Sequence, residues 1–115
     1  MKIVRLLKSH DRSSFNCEEP ALNEYLKVQA TQDMRKRLAV CYVALNEQNE
    51  VIGYYTLSAF SLGREVIPEK YKKKVPTSYK VPVVLLGRLA RDSRQKGRRI
   101  GELLLVDALL RAADA

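Results

Sequence analysis

The apolar residues of this chain form four short runs that are rich in β-forming residues. These runs lie at residues 3–7, 38–45, 51–62 and 83–91. Such composition predicts strands, and the short, charge-flanked first run predicts an edge strand. Polar residues 46–50 separate the second run from the third, so these two are expected to pair as a β-hairpin. The almost wholly apolar run at 38–45 is expected to be buried.

Two other stretches have helical spacing. After Pro20, apolar residues recur every fourth position, at Leu22, Leu26, Ala30 and Met34. This spacing predicts an amphipathic helix that begins at Pro20, is broken near Thr31 and ends in the basic run 35–37. Residues 101–113 predict a second helix, whose apolar side carries Leu104, Leu105, Ala108 and Leu109. Between the third and fourth runs, prolines and lysines predict a loop with one short helical turn.

Length and composition exclude several classes of protein. The chain has 115 residues and a net charge of +8, which fits one soluble domain. No apolar run approaches about 18 residues, so no membrane span is expected, and the charged start is unlike a secretory signal. Two cysteines and one histidine do not supply a zinc site. The prediction is a cytoplasmic, metal-free protein with reduced thiols, a disulfide being the alternative.

Individual reactive side chains have ordinary structural interpretations. Cys17 and Cys41 are expected to be buried apolar residues rather than nucleophiles, since no histidine adjoins them. His10 is expected at the surface rather than as a base. Of the adjacent Tyr54 and Tyr55, strand alternation predicts that one packs in the core.

The positive charge is concentrated in two segments. Residues 64–80 carry +4 and residues 87–101 carry +5, while the remainder sums to −1. The second segment joins a predicted strand to a predicted helix through a loop with Gly97 and Gly101. Unpaired N–H groups and the helix dipole at that junction favour a bound anion, and we predict a pyrophosphate site there. A solvated basic surface explains the charge alone equally well.

This junction resembles the acetyl-CoA motif of the GNAT acetyltransferases. Their loop follows Arg/Gln-x-x-Gly-x-Gly/Ala, which aligns with residues 94–99, followed by Ile100 and Gly101. Three further segments, 15–33, 53–58 and 82–90, resemble the GNAT toxins of bacterial toxin–antitoxin pairs in the same order. The resemblance implies an α/β GNAT fold, with a mixed, mostly antiparallel sheet flanked by helices. It also implies one incomplete domain over residues 1–115 that lacks the family's C-terminal third.

The resemblance also implies a cofactor site for acetyl-CoA. In the family, the strand matching Leu89, Ala90 and Arg91 pairs by its backbone with the pantetheine arm. The loop then presents N–H groups to the pyrophosphate through the residues that match the motif, namely Arg94, Gln95, Lys96, Gly97, Arg98, Arg99, Ile100 and Gly101. The alternative is a structural glycine loop with solvated arginines.

The implied reaction is acetylation of the α-amine of aminoacyl-tRNA, which blocks translation. The implied partners are that tRNA, a ribbon-helix-helix antitoxin and a second copy of the chain in a homodimer. Arg88 and Lys72, Lys73 and Lys74 are the predicted tRNA contacts. For Arg88 the alternative is a surface ion pair, and for the lysines it is a solvated loop.

Two departures from the family pattern leave alternatives open. Arg99 stands where Gly or Ala is usual. It would weaken cofactor binding if that position requires a positive φ or close contact with a phosphate, and the alternative is that its guanidinium points outward and does no harm. The family's general-acid tyrosine is expected beyond residue 115, so no catalytic residue is assigned here. One alternative is therefore a catalytically inactive protein that only binds acetyl-CoA, antitoxin or RNA. Another is a general nucleic-acid-binding module with salt-sensitive affinity.

Overall fold

A computed structural model describes residues 1–74 and 80–114, and it contains a four-stranded sheet in chain order. The strands are β1 (Lys2–Arg5), β2 (Val40–Leu45), β3 (Val51–Leu62) and β4 (Val81–Arg91). Each strand pairs antiparallel with the next. A tight turn closes the predicted β2–β3 hairpin: Asn46 Oδ1 accepts hydrogen bonds from the N–H groups of Gln48 and Glu50 at 3.0 and 2.9 Å.

The predicted strands are confirmed with small changes in their ends. β2 begins at Val40 rather than at residue 38, and Leu38 is exposed. β4 begins at Val81 and includes Pro82, which pairs in register with Ser61. Proline has no N–H to donate, and an outer strand such as β4 tolerates it.

The first predicted helix is continuous but contains one irregular turn in its middle. α1 (Pro20–Glu24) continues through a π-helical turn (Tyr25–Gln29) into α2 (Ala30–Arg35). The break predicted near Thr31 is wrong: the helix contains a widened turn that ends at Gln29 and continues through Thr31. Two further helices are α3 (Glu69–Lys72) and α4 (Ile100–Ala113).

The sheet lies between two helical layers. On one face, the continuous helix from α1 to α2, called the N-terminal helix below, covers a core that includes Phe15, Leu26 and Tyr54. On the other, α4 buries Leu104 and its neighbours against residues that include Tyr55. The prediction that only one of the two adjacent tyrosines is buried is therefore wrong. Both are fully buried, because alternate strand residues enter two separate cores.

Polar contacts and one glycine dock α4 on the sheet. Asp107 accepts hydrogen bonds from the Tyr55 hydroxyl at 2.6 Å and from Arg111 Nε at 2.8 Å. Arg111 also donates to the carbonyl of Ile3 in β1 at 3.1 Å. Gly53 permits the close approach, because a Cβ there would lie 2.9 Å from the buried Leu104 Cδ1. Gly53 pairs with Arg91 in the sheet, so α4 packs beside the end of β4.

The outer side of α4 remains apolar and exposed. Leu103, Leu105, Val106, Leu109 and Leu110 are between 43% and 63% exposed. Contiguous apolar surface of this kind is typical of a contact face. Within the described ranges, no helix combines the length and the apolar character needed to cross a membrane.

Of the two cysteines and the histidine, only His10 lies in a different place from the one predicted. Cys41 is buried and Cys17 half-buried, and both are free thiols. His10 is only 7% exposed, so its predicted surface position is wrong. Its Nδ1 accepts a hydrogen bond from the Leu7 N–H at 2.9 Å. Burial, with smaller contributions from Lys2 and Arg12, lowers the pKa of His10, and the ring therefore has a structural role.

Candidate functional site

β4 lies at the edge of the described sheet opposite β1, and its end leads directly into the predicted anion site. Within residues 1–74 and 80–114, β3 is the one strand that pairs with it, and edge strands can pair with another extended chain. Leu89, Ala90 and Arg91 lie on this strand. Ala90 packs into the core beside the N-terminal helix, whereas Leu89 contacts the core beneath α4. This edge can accept an added extended chain.

The loop after β4 turns the chain into α4 through two residues with left-handed backbone. Gly97 has φ 82° and Arg99 has φ 57°. α4 then begins at Ile100, and its first N–H groups have no partner within the helix. An open pocket of about 420 Å³ lies at this point, lined by Arg91, Gly97, Arg99, Ile100, Gly101 and Glu102. Free N–H groups, the helix dipole and arginines make this pocket suited to a phosphate anion.

Gly97 leaves space at the mouth of that pocket. A Cβ at Gly97 would find no atom within 4 Å, so no internal packing requires glycine here. Its φ of 82° is one that residues with a side chain rarely adopt. The bare backbone can therefore be approached closely by a ligand. These features fit the diphosphate of a nucleotide cofactor, with Glu102 as the one opposing charge.

Asp92 anchors the beginning of the loop. Its side chain is fully buried, and it accepts hydrogen bonds from the N–H groups of Asn16 at 3.1 Å and Arg94 at 2.9 Å. Arg94 Nε adds a contact of 2.9 Å. Burial raises the pKa of Asp92, but the hydrogen bonds and charge of Arg94 and the Asn16 N–H outweigh it, so the pKa lies below its usual value. A charged carboxylate thus fixes the loop to the N-terminal segment.

The structure divides the predicted loop residues between different surroundings. The Arg94 guanidinium does not line the pocket; it contacts Asp92 and donates to the Ser14 carbonyl at 3.1 Å. Gln95 and Arg98 line a neighbouring open pocket of about 500 Å³ beside the β2–β3 turn. Lys96 is exposed. The pocket at the α4 N-terminus thus brings together Arg91, Gly97, Arg99, Ile100 and Gly101.

The predicted RNA contacts lie elsewhere. Arg88 is an exposed residue of β4, on the side of the sheet where the N-terminal helix packs. Its guanidinium lies over the ring of Tyr25 in that helix. Lys72 Nζ pairs with Glu69 at 2.9 Å at the end of α3. Lys73 and Lys74 follow it and are exposed. The structure therefore places Arg88 near the strand edge and the three lysines in a separate segment.

Arg99 has the positive φ at which its departure from the family pattern matters, and its side chain is 80% exposed. Its backbone has φ 57° and ψ 29°, and its Nε lies 4.0 Å from Glu102 Oε2. We expect Arg99→Gly to raise the free energy of unfolding by about 1 kcal/mol, because a left-handed backbone strains residues with a Cβ. Chemical denaturation measures this change. Arg99→Ala is the matched control: it removes the same charge but keeps the Cβ, and equal stabilisation by both variants would contradict a backbone origin.

Three residues important to this site were not predicted from sequence. Asp92 and Glu102 are single acidic residues in a basic segment, and neither has a distinguishing motif. Tyr25 lies beside the helical apolar stripe and has no distinguishing motif of its own. The available signal was its sequence position within the segment 15–33, which resembles the GNAT toxins.

Comparison with characterised proteins gives a consistent result. A tRNA-acetylating toxin of Mycobacterium tuberculosis is 33% identical over 111 residues, which make up 96% of this chain and 65% of the relative. The chain therefore spans less than two thirds of that relative's length. No protein-family model matches the chain.

Solved structures share the fold over nearly the whole chain. AtaT complexed with acetyl-methionyl-tRNAfMet has a TM-score of 0.78 and 31% identity, and the match covers 93% of this chain and 65% of AtaT. AtaTR bound with acetyl-CoA has a TM-score of 0.81 and 30% identity, with coverage of 96% and 67%. At this identity the likeness extends beyond fold to sequence family.

Proposed function

This chain belongs to the GNAT-family toxins of bacterial toxin–antitoxin systems, and we propose that it is an acetyl-CoA-dependent N-acetyltransferase. The proposed substrate is the α-amine of an aminoacyl-tRNA, so that acetylation blocks translation. The observation that carries this proposal is the pocket at the α4 N-terminus, which adjoins the end of β4 at Arg91. An anion site beside a strand edge matches the two ends of a phosphopantetheine cofactor.

Each part of the site has a distinct proposed role. Acetyl-CoA would supply the activated acetyl group as a thioester. The N–H groups of the first turn of α4, together with Gly97, Arg91 and Arg99, would bind the diphosphate. The backbone edge at Leu89 and Ala90 would align the extended pantetheine arm and orient the thioester. Because the Arg94 side chain is bonded to Asp92, it would support the loop rather than contact the cofactor.

The partners are part of the same proposal. Residues 1–115 would act as part of a single GNAT domain that binds aminoacyl-tRNA through Arg88 and, at greater distance, Lys72, Lys73 and Lys74. A ribbon-helix-helix antitoxin would restrain the activity. A second copy of the chain would form a homodimer with the first.

The test is transfer of labelled acetyl groups. The protein is incubated with radiolabelled acetyl-CoA and a panel of aminoacylated tRNAs, and label is expected on the aminoacyl α-amine of a subset of the panel. Uncharged tRNA is the control and should remain unlabelled. Acetyl-CoA binding without label on any tRNA would contradict catalysis and support the alternative of an inactive binding protein. Salt-sensitive RNA binding that is indifferent to acetyl-CoA would favour a general nucleic-acid-binding module.

A further inference from the structure

Arg88 is an exposed residue whose side chain nevertheless has a defined position. Its guanidinium carbon lies 3.7 Å from the centroid of the Tyr25 ring. Its backbone N–H donates to Thr56 Oγ1 at 3.1 Å, next to an irregularity in the β3–β4 register. A cation over an aromatic face is attracted to the ring electrons. The contact restricts an otherwise mobile side chain while leaving its N–H donors accessible.

Tyr25 is itself held on several sides. It is 5% exposed, and its hydroxyl donates to Asp33 Oδ2 at 2.8 Å. Asp33 Oδ1 accepts a further hydrogen bond from Gln29 Nε2 at 3.0 Å. The Tyr25 ring stacks on Tyr54, with centroids 6.2 Å apart and planes inclined by 15°. The ring is therefore a fixed platform for Arg88.

The charge state of this group favours the contact. Burial, followed by the hydrogen bond to Asp33, raises the pKa of Tyr25, so the phenol stays neutral. The hydrogen bond from Gln29 lowers the pKa of Asp33; burial opposes that shift, and Tyr25, Arg88 and Lys36 add to it. Donation to an anionic carboxylate polarises the phenol and increases the negative character of its ring face. This polarisation strengthens the attraction for the Arg88 cation.

The π-helical turn explains how Tyr25 and Asp33 meet. In a regular α-helix, residues eight positions apart are about 80° out of line. The wider turn at Tyr25–Gln29 compensates for that angle, so both side chains lie on the same side of the helix. Arg12 stabilises the turn, since its Nη1 donates to the carbonyl of Leu26 at 3.0 Å and to Thr31 Oγ1 at 3.1 Å. Such turns often occur at functional sites.

We propose that Tyr25, fixed by Asp33, is a positioning residue that directs Arg88 toward a phosphate of the RNA substrate. The inference rests on the proposed function for the identity of the ligand as RNA. It adds a specific role for the π-helical turn, whose geometry links Arg12, Tyr25 and Asp33 to one exposed cation. Tyr25 contacts neither the cofactor pocket nor the RNA in this role; it acts through Arg88.

The first test measures tRNA binding by the full chain at several salt concentrations, together with KM values for tRNA and acetyl-CoA. Arg88→Ala should weaken RNA binding about tenfold and reduce the salt dependence by about one counterion. Tyr25→Leu should weaken RNA binding about fivefold and leave the KM for acetyl-CoA unchanged. Tyr25→Phe retains the ring but loses the hydrogen bond to Asp33, so its RNA affinity should lie between that of the unmodified protein and that of Tyr25→Leu. Melting curves confirm that each variant is folded.

A double-mutant cycle separates positioning from general structural damage. In an Arg88→Ala background, Tyr25→Leu should produce no further loss of RNA affinity. The same fivefold loss in both backgrounds would overturn the positioning role. A raised KM for acetyl-CoA with unchanged RNA affinity in Arg88→Ala would also overturn it, because that result would assign Arg88 to the cofactor.

An NMR measurement makes the outcome independent of RNA binding. The Arg88 side-chain protons should be shifted upfield by the Tyr25 ring, and the shift should disappear in Tyr25→Leu. Absence of that shift in the unmodified protein overturns the positioning role whatever the RNA affinity. Presence of the shift in a protein that binds no RNA supports the positioning of Arg88 and overturns the proposed substrate.

Discussion

Asp92→Ala is expected to lower the free energy of unfolding by about 2–3 kcal/mol. The substitution removes a fully buried carboxylate that accepts backbone N–H groups from Asn16 and Arg94. It also leaves the Arg94 guanidinium without its main anionic partner. Because these contacts join the loop to the N-terminal segment, cofactor binding should weaken as well. Urea denaturation measures the first effect, and calorimetric titration with acetyl-CoA measures the second.

The same carboxylate predicts a pH dependence. The pKa of Asp92 is lower in the folded protein than in the unfolded chain, where Asp titrates near about 3.9. Its contribution to stability is therefore complete above about pH 4 and is lost as pH falls through the folded-state pKa. Asp92→Asn is the matched control, since it keeps the shape but does not titrate. Identical acid-unfolding profiles for Asp92→Asn and the unmodified protein would contradict this assignment.

Gly97→Asp is expected to weaken acetyl-CoA binding by about 10–100-fold, because it places a carboxylate beside the proposed diphosphate position. The free energy of unfolding should also fall by about 1 kcal/mol, because φ at Gly97 is 82° and strains a residue with a Cβ, although a Cβ there meets no atom within 4 Å. Calorimetric titration compares the affinities directly.

Gly97→Asn separates the charge from the change of backbone. Asparagine tolerates a positive φ as well as aspartate does and has nearly the same size, so its affinity should fall only a few-fold. If the two variants bind acetyl-CoA equally, the diphosphate does not lie at Gly97 and the loop is misassigned.

The strands were predictable because each has a composition and spacing that few other structures share. Residues 51–62 were predicted with their observed limits, and polar residues 46–50 identified the hairpin. The burial of both Tyr54 and Tyr55 was not predicted, because strand alternation alone does not reveal that helices cover both faces of the sheet. The π-helical turn was also beyond reach, since a single widened turn hardly alters a fourfold apolar pattern.

The position of the loop was predicted from the sequence, but the roles of its individual side chains were not. Gly97 and Gly101 marked the junction, and the order of strand, loop and helix implied free N–H groups at its end. By contrast, Arg94 has the same basic character as Arg91 and Arg99, and only the folded chain shows its contact with Asp92. Charge in sequence therefore located the surface, while tertiary contacts divided it into binding and supporting residues.

The most direct measurement follows the backbone N–H signals of the labelled protein by NMR during titration with coenzyme A. We expect saturable shifts at residues 97–102 and along residues 89–91. Pantetheine, which lacks the diphosphate, should shift only the strand residues. Shifts confined to other regions, or none at millimolar coenzyme A, would contradict a cofactor site between the edge of β4 and the N-terminus of α4.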